Sequence, residues 1–188
     1  GRVVTRLIKP LKKDFAYGKN PGRAVAKEGI IAKTLDDLEI KVRAAKQKAG
    51  KKIGEELDAI KETSSIETAF QPIDDAIKMA EKSPRTNSGL IKRLQDTKDD
   101  LLMAVEDSSG KKVFTRKLKD LQARAIFELK RDVGELTKFT GNISDDNVIN
   151  KALRKTYGRL KGEIEALNPK IKPLSEHYGD LLSAEMAT

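Results

Sequence analysis

The sequence predicts an all-α protein with five to six helices, arranged as an antiparallel bundle or as elongated helical hairpins behind an irregular basic N-terminal arm. Apolar residues recur at steps of three and four over long stretches, which is the period of one helix face. Aromatic residues make up 4% of the chain and charged residues 36%, a balance typical of narrow apolar seams between helices or of coiled coils. No segment alternates regularly enough to indicate a strand.

Residues 1–33 form the predicted arm, and residues 34–188 form the predicted helical bundle. The breakers of the arm are Pro10, Gly18, Asn20-Pro21-Gly22 and Gly29. They leave room for one short helix, near residues 23–27. The arm has nine Lys and Arg residues against two acids, so it carries +7 of the net charge of +9. Positive charge is therefore concentrated at the front of the chain.

The first long helix is predicted to begin after Thr34, because a threonine N-cap and the acids Asp36 and Asp37 suit the first turn. It should end at residues 63–65, a Thr-Ser-Ser run. Its apolar stripe is Leu35, Leu38, Val42, Ala45, Ala49, Ile53, Leu57 and Ile60. This spacing places one continuous apolar face on the helix.

Four further helices are predicted from the same kind of stripe. A short one begins either at a Ser64/Glu67 capping box or nearer Pro72, and ends at Ser83-Pro84. The others cover residues 87–107, residues 115–139, and a stretch from a Ser144 cap to the Asn168-Pro169 break. A last helix follows this break and carries Ile171, Leu174, Tyr178, Leu181 and Leu182. Short breaks between helices favour antiparallel neighbours.

The residue inventory argues against an enzyme, and we assign no catalytic residue, metal ligand or cofactor. There is no cysteine, and His177 is the single histidine, so thiolate and histidine metal clusters are excluded. The adjacent acid pairs are Asp36/Asp37, Asp74/Asp75, Asp99/Asp100 and Asp145/Asp146. Neighbouring helix residues point about 100° apart, so one pair rarely chelates one ion. For His177 a surface or packing role is favoured over a general base.

No apolar run is long enough to span a bilayer, and lysines and arginines interrupt any signal-peptide core at the N-terminus. We therefore expect neither a membrane span nor a signal peptide, and we also expect no small-molecule substrate.

Two glycine pairs, Gly50/Gly54 and Gly158/Gly162, lie inside predicted helices at a spacing of four residues. A glycine in a helix interior costs about 1 kcal/mol relative to alanine. Close packing of a neighbouring helix, or a bend in the helix, is one explanation for this cost, and chance is the other.

The arm is the candidate binding segment for phosphate or a protein partner. Its candidate bases are Arg2, Arg6, Lys9, Lys12, Lys13, Lys19, Arg23 and Lys27. Phe15 and Tyr17 are interleaved with these bases, so they are candidates for stacking on nucleotide bases. The alternative, which we favour, is that both aromatics anchor the arm on the bundle.

Three stretches resemble helical segments of large virion-associated proteins of tailed bacteriophages and prophages. They are residues 15–30 (FAYGKNPGRAVAKEGI) with 34–38 (TLDDL), 129–141 (LKRDVGELTKFTG) and 174–185 (LSEHYGDLLSAE). The resemblance implies assembly or scaffolding contacts and no known chemistry, with a location in the virion or in the cytoplasm of a bacterial host. In such proteins the last motif continues beyond the position of Thr188, so we expect this chain to be a domain of a longer protein.

Two functions are therefore predicted. The first is a structural or interaction module of phage or prophage origin, which presents helical faces to copies of itself or to other virion proteins. The alternative is a nucleic-acid-binding protein whose arm makes non-specific phosphate contacts. Ion pairing of the arm with carboxylates of the bundle favours the first function, and unpaired arm bases favour the second.

Overall fold

A computed structural model describes residues 20–103, 118–137 and 143–187. Within these ranges 77% of the residues are helical, which confirms the all-α prediction. The helices are α1 (Pro21–Lys27), α2 (Leu35–Asp58), α3 (Gln71–Ala80), α4 (Pro84–Met103), α5 (Ala123–Leu136), α6 (Ile143–Leu167) and α7 (Ile171–Glu185). The strands are β1 (Thr63–Ser64) and β2 (Leu121–Gln122). None of the described helices is long and apolar enough to cross a membrane.

The described elements group into two compact units. The first unit contains α1, α2 and α7, and the second contains α3 to α6 with both strands. The predicted division into residues 1–33 and 34–188 differs from this grouping, because residues 20–33 share a unit with α2 and α7. The physical reason is apolar burial: Ala24, Val25 and Ala32 are all 4% exposed or less.

In the first unit, α2 begins at its predicted cap. The Thr34 side chain accepts a hydrogen bond from the Asp37 amide at 3.1 Å, which satisfies one of the free amides of the first turn. The predicted stripe is buried at Leu38, Val42, Ala45, Ala49, Ile53 and Leu57. Leu35 was also assigned to the stripe, but it is 45% exposed.

Helices α2 and α7 run antiparallel, as their contacts show. Tyr178, in the middle of α7, lies against Gly50, while Glu185, at its end, pairs with Arg43 and Lys46. Residue numbers thus rise along one helix as they fall along the other. Leu181, between these contacts, is fully buried. These two antiparallel neighbours are far apart in the sequence, so their pairing does not depend on a short connection.

In the second unit, α3 and α4 also form an antiparallel pair. Lys98 donates a hydrogen bond to Asp74 at 2.6 Å, and the Asn87 side chain donates to the Ala80 carbonyl at 3.0 Å near the connection. Helix α3 ends before the predicted stop at Ser83-Pro84, and the helix predicted from residue 87 begins three residues earlier, at Pro84. Proline suits this position because the first helical amide has no partner within the helix.

The structure of residues 118–122 differs from the predicted one. They were assigned to a helix over residues 115–139, but α5 begins at Ala123. Ser64 pairs with Leu121 in the antiparallel β1–β2 contact, and the Ile66 amide donates to the Leu118 carbonyl at 2.8 Å. Hydrogen bonds to a distant segment thus replace the helical ones in this stretch. The sequence indicated no strand, whereas the described residues contain one sheet of two strands with two residues each.

Candidate functional site

Most of the predicted arm site lies outside the described residues. This applies to Arg2, Arg6, Lys9, Lys12, Lys13 and Lys19, and to the aromatic residues Phe15 and Tyr17. Arg23 and Lys27 are described, and both are exposed on α1. Neither forms an ion pair with a described residue.

Uncharged and acidic groups attach α1 to α7. The Asn20 amide donates to Asp180 Oδ1 at 2.9 Å, and His177 Nε2 lies 2.7 Å from Glu28 Oε1. The His177 side chain is 13% exposed, so the single histidine has the packing role expected for it. Ala24 and Val25 supply the apolar part of this contact.

A shallow groove, here called the α2 groove, lies between α2 and the residues that follow α1. It has a volume of about 450 Å³. Its lining includes Ile30, Ile31, Lys41, Ala44, Ala45 and Lys48. Ile31 is 78% exposed, while Ile30 packs partly buried against the core beneath. The groove therefore combines an apolar floor with basic side chains.

Lys41 fixes the segment that carries Ile31. Its Nζ atom donates to the Ile31 carbonyl at 2.7 Å and to Asp37 Oδ2 at 2.9 Å. The hydrogen bond from Lys41 is the main reason that the pKa of Asp37 lies below its usual range. An exposed isoleucine on a segment held in this way is prepared to contact a partner without much loss of conformational freedom.

The candidate glycine sites behave differently from one another. A methyl group at Gly50 would lie 3.4 Å from Tyr178 Cε2, so a neighbouring helix does approach closely there. Gly54 is half-buried. At Gly158 and Gly162, no described atom outside the local helix lies within 4 Å of an added Cβ, and both glycines are exposed. Close helix packing at these two positions is therefore a wrong prediction, because their face of α6 points to solvent.

Lys130 on α5 is a functional candidate that the sequence analysis missed. It is 8% exposed, and its Nζ lies 4.2 Å from the centre of the Phe127 ring and 5.6 Å from that of Tyr157. The pKa of Lys130 is lowered to about 8, mainly by burial and also by nearby Lys161, while Glu165 opposes both effects. The two rings hold an ammonium group that is still mostly protonated at neutral pH. Its placement on the apolar stripe between Ile126 and Val133 was the available signal.

The solvent face of α6 is a second missed feature. It carries Lys151, Arg154 and Lys155, with Asn147 and Asn150, around an open depression of about 560 Å³. All three bases are exposed. The available signal was a run of residues without any acid, from 147 to 162.

Within the described ranges, no three His, Asp or Glu residues are grouped so that they could hold a metal ion. Of the acid pairs considered above, Asp74 is hydrogen-bonded to Lys98, and Asp37 to Lys41. No protein-family model matches the chain, and neither a curated protein nor a solved structure matches it significantly. The function is therefore inferred from the exposed residues of the molecule itself.

Proposed function

We propose that the protein is a non-enzymatic interaction module of phage or prophage origin, which presents helical faces for protein–protein assembly. The resemblance of three stretches to virion-associated helical segments supports the origin. The α2 groove is the observation that carries the assembly role, since it offers an exposed apolar anchor on a fixed backbone. Protein interfaces concentrate binding energy at a few such anchors.

Charge at the groove indicates what kind of partner it takes. Lys48 is exposed and forms no ion pair with a described residue, and Lys41 contributes a second positive charge shared with Asp37. The acid of the lining, Glu28, is paired with His177. A partner segment with an apolar side chain for Ile31 and carboxylates beside it is therefore complementary.

The test uses two isoleucines of the first unit as a matched pair. Ile31 is 78% exposed and lines the groove, whereas Ile40 is 67% exposed and lies on α2 outside it. An amphipathic peptide with leucine anchors and flanking glutamates should bind the wild-type protein, and the same peptide with flanking lysines should bind much more weakly. Ile31→Glu should abolish binding of the first peptide, and Ile40→Glu should preserve it.

Light scattering over a range of protein concentrations identifies one particular partner. A molar mass that rises with concentration in the wild-type protein and in Ile40→Glu, but not in Ile31→Glu, would assign the groove to a second copy of the chain. Equal effects of the two substitutions on peptide binding and on mass would contradict the proposal.

Nucleic-acid binding through the arm is the second candidate function. It is favoured by Arg23 and Lys27, which form no ion pair with a described residue. A net excess of seven bases implies a slope of log affinity against log salt no steeper than about −6 for duplex DNA. Replacing Arg6, Lys9, Lys12 and Lys13 with glutamine should flatten that slope by about 3 to 4 units. An unchanged slope in this variant would remove the arm from consideration.

A further inference from the structure

One stretch of α6, in the second unit, carries several positive charges and no negative one. Between residues 147 and 162 the chain has five bases and no acid. The bases are Lys151, Arg154, Lys155, Arg159 and Lys161. The carboxylates nearest in sequence are Asp146 on one side and Glu163 on the other. A stretch of this kind produces a local positive field even where the surrounding unit is nearly neutral.

Helical geometry places three of these bases on a single face. Successive helix residues rotate by about 100°, which puts Lys151, Arg154 and Lys155 opposite the buried stripe of α6. The buried stripe consists of Ile149, Ala152, Leu153, Thr156, Leu160 and Ile164. Since the helix rises about 1.5 Å per residue, the three cations fall within one turn of roughly 6 Å.

Three of the bases on this face have no described group that neutralises them, unlike several other bases of the unit. Lys161 pairs with Glu165 at 3.6 Å, Lys98 with Asp74 at 2.6 Å, and Arg159 donates to Gln71 at 3.1 Å. Lys151, Arg154 and Lys155 form no ion pair or hydrogen bond with any residue that the structure describes. Their charge is therefore available to an external anion.

The rest of this face of α6 consists of polar side chains and glycines. Asn147 and Asn150 border the bases, and the exposed glycines at 158 and 162 leave the continuing helix surface bare. Val148 lies at the edge and is 39% exposed. The face thus has few of the large apolar anchors on which protein interfaces depend, whereas a phosphate backbone needs only cations and hydrogen-bond donors.

We propose that this α6 face binds the phosphate backbone of a nucleic acid without reading its sequence. Phosphates follow one another at about 3.4 Å per strand along a duplex, so three cations within one helical turn match two to three phosphates. Arg154 offers a planar fork to phosphate oxygens, and the lysines act as point charges. The asparagines add donors that suit phosphate and sugar oxygens.

The test compares two triple variants of the full chain. One replaces Lys151, Arg154 and Lys155 with glutamine. The control replaces Lys51, Lys119 and Arg131 with glutamine, which removes the same charge from bases that already pair with carboxylates. Affinity for a short mixed-sequence DNA duplex is measured by fluorescence anisotropy as salt is varied, and circular dichroism checks that both variants are folded.

Three phosphate contacts contribute about −2.7 to the slope of log affinity against log salt. The α6 variant should therefore flatten the slope by about 2 to 3 units, and the control by less than about 1 unit. When salt rises from 50 to 150 mM, the three contacts should lower the affinity of the wild-type protein for DNA by roughly twentyfold. The α6 variant lacks these contacts and should not show this part of the decrease. Ile31→Glu, which affects the proposed protein groove, should leave the slope unchanged.

Equal slopes for the α6 variant and the control would overturn the inference. Polyglutamate and anionic phospholipid vesicles serve as competing probes. If either displaces the duplex as well as unlabelled DNA does at equal charge concentration, the face recognises acidic protein or membrane surfaces instead, and the nucleic-acid assignment fails.

Discussion

Replacing Lys130 with methionine should stabilise the protein at neutral pH, and this gain should shrink in alkaline solution. Methionine retains the apolar stem that Lys130 buries on α5 but removes the ammonium group. That group is largely taken out of water, since Lys130 is 8% exposed, and burial lowers its pKa from 10.5 to about 8. A charged group that is harder to protonate in the folded state opposes folding wherever it remains charged.

The size of the effect follows from the shift in pKa. Each unit corresponds to about 1.4 kcal/mol, so the charged Lys130 costs roughly 3 kcal/mol below pH 8. Between pH 8 and 10.5 the unfolded chain binds more protons at this site than the folded chain, so stability of the wild-type protein rises with pH there. The contacts with Phe127 and Tyr157 oppose the penalty by about 0.5–2 kcal/mol, depending on solvent exclusion. We therefore expect a net gain of about 1–2 kcal/mol at pH 7.

The measurement is urea denaturation of the wild-type protein and Lys130→Met at pH 7 and pH 10. The difference in free energy of unfolding between them should fall by about 2 kcal/mol over this interval. Lys48→Met, which alters an exposed lysine that forms no ion pair with a described residue, should show no such change. A Lys130→Met effect that is independent of pH would refute the reasoning, because it would show that the charge of Lys130 is not desolvated.

Three further predictions concern local stability, each measured as the free energy of unfolding. Changing Gly158 and Gly162 together to alanine should stabilise the protein by about 1 kcal/mol per site, because an added methyl group meets no described atom within 4 Å. Gly134→Ala should be less favourable, since its methyl group would lie 3.2 Å from Tyr157 Cε2. Equal gains at all three sites would contradict the packing at Gly134. Glu185→Gln should cost about 1–3 kcal/mol at pH 7, because hydrogen bonds from Lys46 and then Arg43 lower the pKa of Glu185. The wild-type advantage should be complete above 4.5, the usual pKa of a glutamate, and disappear as the pH falls through the lowered pKa. An advantage that persists in acid would be evidence against this ion pair. Thr34→Ala should cost about 1 kcal/mol through loss of the cap to the Asp37 amide, and Thr34→Ser should restore most of it.

The position and the buried face of a helix were predictable from the sequence where a single apolar stripe packs against a neighbouring helix, as in α2. The stripe of α2 from Leu38 to Leu57 is buried as expected, and its Thr34 cap is in place. The error at residues 118–122 has a clear cause, because Leu118 and Leu121 fit the helical spacing of the stripe that follows. Their strand-like contacts with β1 depend on a partner more than fifty residues away, and a local pattern contains no information about such a partner.

The candidate sites were less predictable, since they depend on which charges are already paired. Counting bases and acids over residues 34–188 gives a net charge of only +2, and this average hid the acid-free run on α6. The glycine spacing was equally uninformative alone, because Gly50 meets Tyr178 while Gly158 and Gly162 meet no described atom. Whether a helical glycine faces a neighbour or solvent depends on tertiary packing.

A comparison of α2 with α6 shows why pairing distinguishes the two basic helices. Residues 40–54 of α2 contain six bases and no acid, a higher count than the α6 run. Carboxylates from outside that run nevertheless pair with four of the six. The pairs are Lys41 with Asp37, Arg43 with Glu39 and Glu185, Lys46 with Glu185, and Lys51 with Glu55. An incoming phosphate would have to compete with these carboxylates and break contacts that hold α2 to α7, whereas at Lys151, Arg154 and Lys155 it displaces only water and small ions. The gain from counterion release is therefore opposed by lost ion pairs on α2 and unopposed on α6, so α6 should bind a polyanion more tightly although it has fewer bases.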